Sequence, residues 1–368
     1  MLHYDVMVVG AGPGGCMAAR VLGDAGFKVL LVEREKIPRD KACGGFMPPE
    51  AVELVEACFG PLPADCLEAP REVRGIRLVY EQGGTYDLPF SGTGLSVNRA
   101  RLDHWLARSC GVERREACEV VELEVRRFQV RALLKGVEGE SEVESTYLIG
   151  ADGADSMVLR TLRPEFYRLY AAAGLERGML VLCEGELDWD PQWMGMAVLK
   201  RGRTIGRFFL KGELVGMAVM QHSRSGWQEE LDSLAAFLQG SLGLRRRGDA
   251  VRRAAVSNRM GVGGNYSLGA GCALLVGEAA GLIDVWGLGI NLALHSGRIA
   301  AESLMESVGE NITPHIRYRY RMQETLDDLM KRRKPGDRMG DVQTMALAGE
   351  SGGASRRERR ELRRRLSR

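Results

Sequence analysis

Between an apolar run at residues 4 to 9 (YDVMVV) and an alanine-rich stretch ending at residue 25 stands Gly10-Ala11-Gly12-Pro13-Gly14-Gly15, a spacing of glycines that leaves the chain few folds. Gly10 permits a tight turn, Gly12 lets backbone approach a pyrophosphate, and Gly15 lets a helix lie close to the preceding strand. A second apolar run, Val29-Leu30-Leu31-Val32, follows after Gly26, so the segment reads as strand, helix, strand. Phosphates would sit at the helix N-terminus, where unpaired N–H groups and the helix dipole favour anions. Glu33 lies 18 residues beyond Gly15, at the end of the second strand, placed for its carboxylate to accept hydrogen bonds from ribose hydroxyls. The fingerprint predicts a Rossmann-like α/β domain and a dinucleotide. It does not separate NAD from FAD, and a glycine turn without a ligand is the alternative.

The remaining chain is organised differently. Residues 99 to 110 place Leu102, Trp105, Leu106 and Cys110 at the spacing of one helix face. Residues 117 to 150 read as a meander of three strands (CEVVELEV, FQVRALL, VESTYLIG). From 178 to 220, short alternating runs broken by Gly-Arg and Gly-Glu turns predict an antiparallel sheet forming a separate layer. A buried strand at 272 to 277, a helix from Ile290 past Leu304 and a last helix over 314 to 334 complete the pattern.

Charge and cysteine usage narrow the class. The net charge of +2 hides a basic tail, residues 356 to 368, with eight arginines against two glutamates. The body is then acidic, which argues against nucleic acid as a partner. The tail suits either a peripheral contact with anionic lipid on the inner membrane face or a solvated helical end. The eight cysteines stand without CxxC pairs or a metal-ligand rhythm with the five histidines, the usage of a reducing compartment. With no apolar run of about 18 residues and no signal-like start, the expectation is a cytoplasmic protein.

Two later segments each put an acid and glycines at the end of a strand: Gly150-Ala151-Asp152-Gly153 and Gly277-Glu278-Ala279-Ala280-Gly281. Together with Lys41-Ala42-Cys43-Gly44-Gly45 and Gly287-Leu288-Gly289-Ile290, they resemble the geranylgeranyl reductase family of flavoproteins, part of the group built like p-hydroxybenzoate hydroxylase. The resemblance spans about residues 1 to 305. It implies FAD, held by a discontinuous domain of residues 1–72, 97–165 and 255–310. An inserted antiparallel-sheet substrate domain (73–96 and 166–254) and a C-terminal helical region (311–368) complete the implied architecture.

The resemblance also implies roles. Gly10, Gly12, Pro13, Gly14, Gly15, Glu33 and Arg34 would hold the ADP half. Lys41, Cys43, Gly44 and Arg99 would lie toward the flavin, with Asp103 stabilising the Arg99 helix. Val120 matches a position that holds adenine through backbone, and Asp152 would support the phosphate or ribityl region. Gly277 and Glu278 occupy the ribityl-binding position, where relatives usually carry aspartate. Backbone N–H groups from Gly287, Gly289 and Ile290 would face the flavin pyrimidine carbonyl. Cys43, beside Lys41, is a candidate thiolate or proton donor, or fills a small buried space. Trp286 and Leu288 replace residues common in the family's TGxGI stretch, which makes Trp286 a second catalytic candidate. His295 reads as a packing residue, and Trp189 and Trp193 as core or rim residues.

The function these features imply is reduction of carbon–carbon double bonds in an apolar, isoprenoid-like substrate by hydride from reduced flavin. A flavin monooxygenase acting on an aromatic or quinone-like substrate, and a membrane-associated electron-transfer module, are the alternatives. No second GxGxxG stands in a strand–helix–strand setting. NAD(P)H would therefore dock as a transient reductant rather than in a domain of its own.

Overall fold

The computed structural model describes residues 2–199, 204–220, 226–310 and 312–331. The basic tail at 356–368 and the part of the last predicted helix beyond Lys331 lie outside them. Among the described residues the chain divides into two compact units: Met1–Glu68, Leu95–Glu176 and Val256–Glu324 form the first, and Ala69–Gly94, Arg177–Ala255 and residues 325–331 form the second.

In the first unit, the strand Leu2–Val9 pairs in parallel with Val29–Val32 on one side and Gly139–Gly150 on the other. Glu113–Arg115 extends the sheet beyond Val29–Val32, and Ala273–Leu275 extends it beyond Gly139–Gly150, both in parallel. All four residues of Val29–Val32 are buried, the signature of a parallel strand covered on both faces. The helix Pro13–Asp24 follows the glycine turn and buries Cys16, Met17, Ala18, Ala19 and Leu22. It lies directly against the helix Ile290–Ser307. A Cβ on Gly297 would stand 2.3 Å from the Gly14 carbonyl oxygen, and one on Gly14 would stand 2.9 Å from that of Ala293. Only glycines at this crossing allow the two backbones to touch. The meander expected at 117 to 150 forms as Glu119–Arg126, Gln129–Gly136 and Gly139–Gly150, paired antiparallel.

The second unit is built on a sheet whose order runs Arg245–Asn258, Leu175–Glu186, Leu214–Met220, Thr204–Lys211, Trp193–Leu199, Leu67–Tyr80 and Thr85–Val97. The pairings among the strands from 175 to 220 are antiparallel, as the turn pattern predicts. Trp193–Leu199 instead runs parallel to Leu67–Tyr80. The two strands are separated in sequence by the long excursion through residues 95–176, and a long connection is what parallel pairing requires. The helix Trp227–Leu242, which the turn pattern does not reveal, lays Leu231, Leu234 and Leu238 into a core with Phe208, Val215, Met217 and Val219. Each such leucine contributes roughly 1.5–3 kcal/mol by leaving water. Trp189 sits at the edge of this core, its ring 4.7 Å from that of Phe208, and its Nε1 donates to the Trp193 carbonyl at 2.8 Å.

The helix predicted over 314–334 is described as Pro314–Arg321 and Gln323–Lys331, interrupted at Met322. Among the described residues, no helix is long and apolar enough to cross a membrane.

Candidate cofactor site

The glycine turn is shaped by backbone contact on two sides and by open space on the third. Gly10 adopts φ +102°, and a Cβ there would lie 2.4 Å from the Ala151 carbonyl oxygen. A Cβ on Gly15 would lie 1.9 Å from the Gly10 carbonyl oxygen. At Gly12, by contrast, a Cβ would meet nothing within 4 Å. Gly12 is the N-cap of Pro13–Asp24, no side chain caps it, and no acidic residue stands in the first turn. The first-turn N–H groups, and the positive end of the dipole, therefore face open space. That is the cradle an anionic pyrophosphate fits.

Glu33 is fixed beside this turn. It is 5% exposed; one carboxylate oxygen accepts from Ala11 N at 2.9 Å and the other from Glu35 N at 3.1 Å. Each oxygen keeps a lone pair for a ribose hydroxyl. Cys118 N donates to the Glu33 carbonyl at 2.9 Å, which brings the strand that carries Val120 alongside. Val120 is buried at a register irregularity of that strand. Arg34 and Lys41 are exposed; Arg34 lies 3.9 Å from Glu35, and Lys41 makes no hydrogen bond or ion pair among the described residues.

A buried chain of charges runs from Glu33 to the Lys41–Gly45 loop. Arg39 Nε lies 3.5 Å from Glu33, and its guanidinium reaches Asp103 at 3.2 Å. The Asp103 side chain is wholly buried and accepts both Nε and Nη2 of Arg99 at 3.0 Å, a bidentate pair. Burial works against the charge on Arg99, but Asp103 and Cys43 outweigh it and hold the guanidinium above its ordinary range. Arg99 hydrogen-bonds the Cys43 sulfur, which also accepts from Gly45 N at 3.3 Å. A guanidinium and an N–H donor directed at one sulfur stabilise the charge left there once its proton has departed. Arg39 Nε is buried with no hydrogen-bond partner among the described residues. Beside the glycine turn, such a donor suits a dinucleotide oxygen.

The later segments reach the site through backbone. Asp152 meets Gly10 with its Cα, while its carboxylate accepts from Ser156 Oγ at 2.6 Å and Val158 N at 3.0 Å. Burial raises the Asp152 carboxyl above its usual range, and those hydrogen bonds oppose the rise. Glu278 accepts from Ser257 Oγ at 2.6 Å and Asn258 N at 2.8 Å, so one of its oxygens is committed within the protein. Gly277 N donates to the buried Ser296 Oγ at 2.9 Å, tying this turn to the Ile290–Ser307 helix. His295, on the same helix, is partly buried, and burial, reinforced by Arg298, pushes its imidazole below the ordinary range.

The loop before that helix is closed by a residue the motif analysis does not single out. Asp284 is buried and accepts from the N–H groups of Trp286 at 2.9 Å and Leu288 at 2.7 Å. Gly287 N donates to the Asp284 carbonyl at 3.0 Å. The donors this segment can offer an anion therefore begin at Gly289 and Ile290, where the helix starts without a side-chain cap. Trp286 is half-buried on this loop. Arg39 also escapes the motif analysis. The sequence signal for Asp284 is a lone charge among small and apolar residues, and Arg39 is one of several charges in its segment; neither pattern reports burial.

The comparisons with known proteins agree with this geometry. Residues 3–172 match the model of the FAD binding domain family. The chain is 31% identical over 362 residues to digeranylgeranylglycerophospholipid reductase 1 of Methanopyrus kandleri, covering 89% of this chain and 88% of that protein. It is 30% identical over 319 residues to a menaquinone reductase of Mycobacterium tuberculosis, covering 82% and 76%. Among solved structures, a geranylgeranyl bacteriochlorophyll reductase-like protein from Thermoplasma acidophilum matches with a TM-score of 0.66 at 21% identity, covering 100% of this chain and 92% of the other. A flavin-dependent brominase matches at TM-score 0.71 and 19% identity, covering 99% and 93%. These two likenesses show the shared fold. The glycine cradle, the Glu33 carboxylate and the uncapped helix start fit the ADP half of the cofactor these matches name, and this chain belongs to the geranylgeranyl reductase family of FAD-dependent oxidoreductases.

Proposed function

We propose that this enzyme reduces a carbon–carbon double bond of an apolar, isoprenoid-like substrate, and that Cys43 supplies the proton. FAD, when bound and reduced, supplies the hydride. The observation that carries the reading is the Cys43 thiol, held between the Arg99 guanidinium and Gly45 N–H at the end of the chain of charges from Glu33. The C–H bonds formed take one hydride and one proton. The proton leaves the Cys43 sulfur, and the resulting thiolate is stabilised by Arg99 and Gly45 N–H until solvent returns a proton. Arg99 is itself locked by Asp103, so the sulfur is positioned by a rigid support rather than by a mobile side chain. The names of the Methanopyrus and Mycobacterium relatives support a lipid-like or quinone-like substrate.

NAD(P)H is the proposed transient reductant, and the Arg-rich tail at 356–368 the proposed contact with anionic lipid. Anaerobic turnover of geranylgeranyl lipid with dithionite-reduced holoenzyme tests the reaction. Stoichiometric saturation of the double bond without oxygen supports the reductase, and Cys43→Ala lowers its rate by about 10²–10⁴, the usual worth of a positioned proton donor. Product that forms only with oxygen overturns it in favour of a monooxygenase.

A further inference from the structure

The outer side of the helix Arg99–Ser109 lines a cavity that the flavin chemistry does not use. Asp103 and Leu102 on this helix are buried in the first unit. Arg101, His104, Trp105 and Arg108, spaced three, four and seven residues apart, share another side and line a cavity of about 410 Å³, closed opposite by Pro63, Asp65 and Cys66. That volume lies in the range of roughly 300–1,000 Å³ typical of small-molecule sites.

The lining is chemically lopsided. Two guanidinium groups and an imidazole face one carboxylate, that of Asp65. Arg101 Nη1 donates to the Asp65 carbonyl at 2.8 Å, which fixes that guanidinium at the rim and leaves its other donors available. Arg108 and His104 make no hydrogen bond or ion pair among the described residues. The Trp105 indole is steadied by Phe59, ring centroids 5.9 Å apart, which leaves it usable as a stacking surface. The Cys66 thiol at the floor is buried, and burial, with Asp65 adding to it, pushes it up to about 11, so the floor stays neutral at physiological pH. Fork-shaped cations beside an aromatic plane recognise a phosphate attached to a flat base.

We propose that the cavity between residues 63–66 and the Arg101–Arg108 side of this helix binds the adenosine-phosphate portion of a nucleotide, with Arg101 and Arg108 on the phosphate and Trp105 against the adenine. The chemistry is shared by a free adenine nucleotide and by the adenosine half of a pyridine nucleotide. It lies apart from the glycine turn, which serves the cofactor's own ADP half.

The test uses FAD-saturated full-length protein, so that the glycine turn is already filled. AMP is titrated by isothermal calorimetry beside adenosine and inorganic phosphate, with flavin absorbance confirming that FAD stays bound. AMP binding at least tenfold tighter than either fragment, weakened about tenfold by Arg108→Gln and by Trp105→Leu, supports the site. Arg108 has no hydrogen-bond or ion-pair partner among the described residues, so its replacement leaves the thermal midpoint unchanged. NADPH competing with AMP identifies the reductant as the source, and AMP binding without such competition identifies a free nucleotide; either supports the site. AMP binding that is undiminished in Arg108→Gln and Trp105→Leu, or no tighter than that of inorganic phosphate, overturns the proposal.

Discussion

At the scale of single residues, the site separates glycines needed by the fold from a glycine needed by the ligand. A methyl group on Gly15 would collide with the Gly10 carbonyl at 1.9 Å, whereas one on Gly12 would meet only open space within 4 Å. Gly15→Ala is therefore expected to destabilise the apoprotein by about 1–3 kcal/mol or more, as overpacking does. Gly12→Ala is expected to melt as the unsubstituted apoprotein does while losing FAD affinity; urea unfolding and flavin titration of both variants distinguish the two. Asp103 poses the converse case. Replacing it by alanine leaves Arg99, and part of the Arg39 guanidinium, buried without a carboxylate, at a cost of roughly 3–5 kcal/mol. Asp87→Ala, which breaks the more exposed pair with Arg77, should cost about 1 kcal/mol or less in the same denaturation experiment. Motif spacing identifies Gly12, Gly15 and Glu33 because their job is local to one strand–helix–strand unit. It gives no role to Arg39 or Asp284, because what distinguishes them is burial produced by distant segments.

At the scale of elements, helix starts do much of the positioning. Asn98 caps the Arg99–Ser109 helix: its Oδ1 accepts from Arg101 N at 3.1 Å, and its Nδ2 donates to Glu68 at 2.7 Å. Asn98→Ala should cost about 1 kcal/mol of stability. The helix Ile290–Ser307 carries His295, whose folded-state imidazole is pushed below its ordinary range by burial and Arg298, with Glu302 opposing. A histidine so depressed binds fewer protons folded than unfolded, so its contribution is present above the unfolded value of about 6.5 and is lost as pH falls below it. His295→Gln should flatten the dependence of unfolding free energy on pH below about 6.5, measured by urea titrations across that range.

At the scale of the whole molecule, ligand binding and folding are linked in one unit. FAD that binds only the folded state adds about 2.7 kcal/mol when present at a hundredfold excess over its dissociation constant. Hydrogen exchange with and without FAD should slow at residues 10–15, 151–153 and 287–291. The core strands Leu175–Glu186 and Leu214–Met220 of the second unit, already paired in register, should change little.

The sequence by itself determined the parallel α/β unit at the N-terminus, the alternating sheet between 178 and 220 and a dinucleotide site, because glycine spacing and apolar period are local properties of a chain; FAD in particular was implied by the resemblance that the later segments carry. Tertiary structure decided what those patterns cannot carry. It set the parallel pairing of Trp193–Leu199 with Leu67–Tyr80, the contact of Gly14 with Gly297, and the burial that links Glu33, Arg39, Asp103, Arg99 and Cys43. Each depends on segments that meet only after the chain has closed on itself, where low dielectric turns scattered charges into a fixed support.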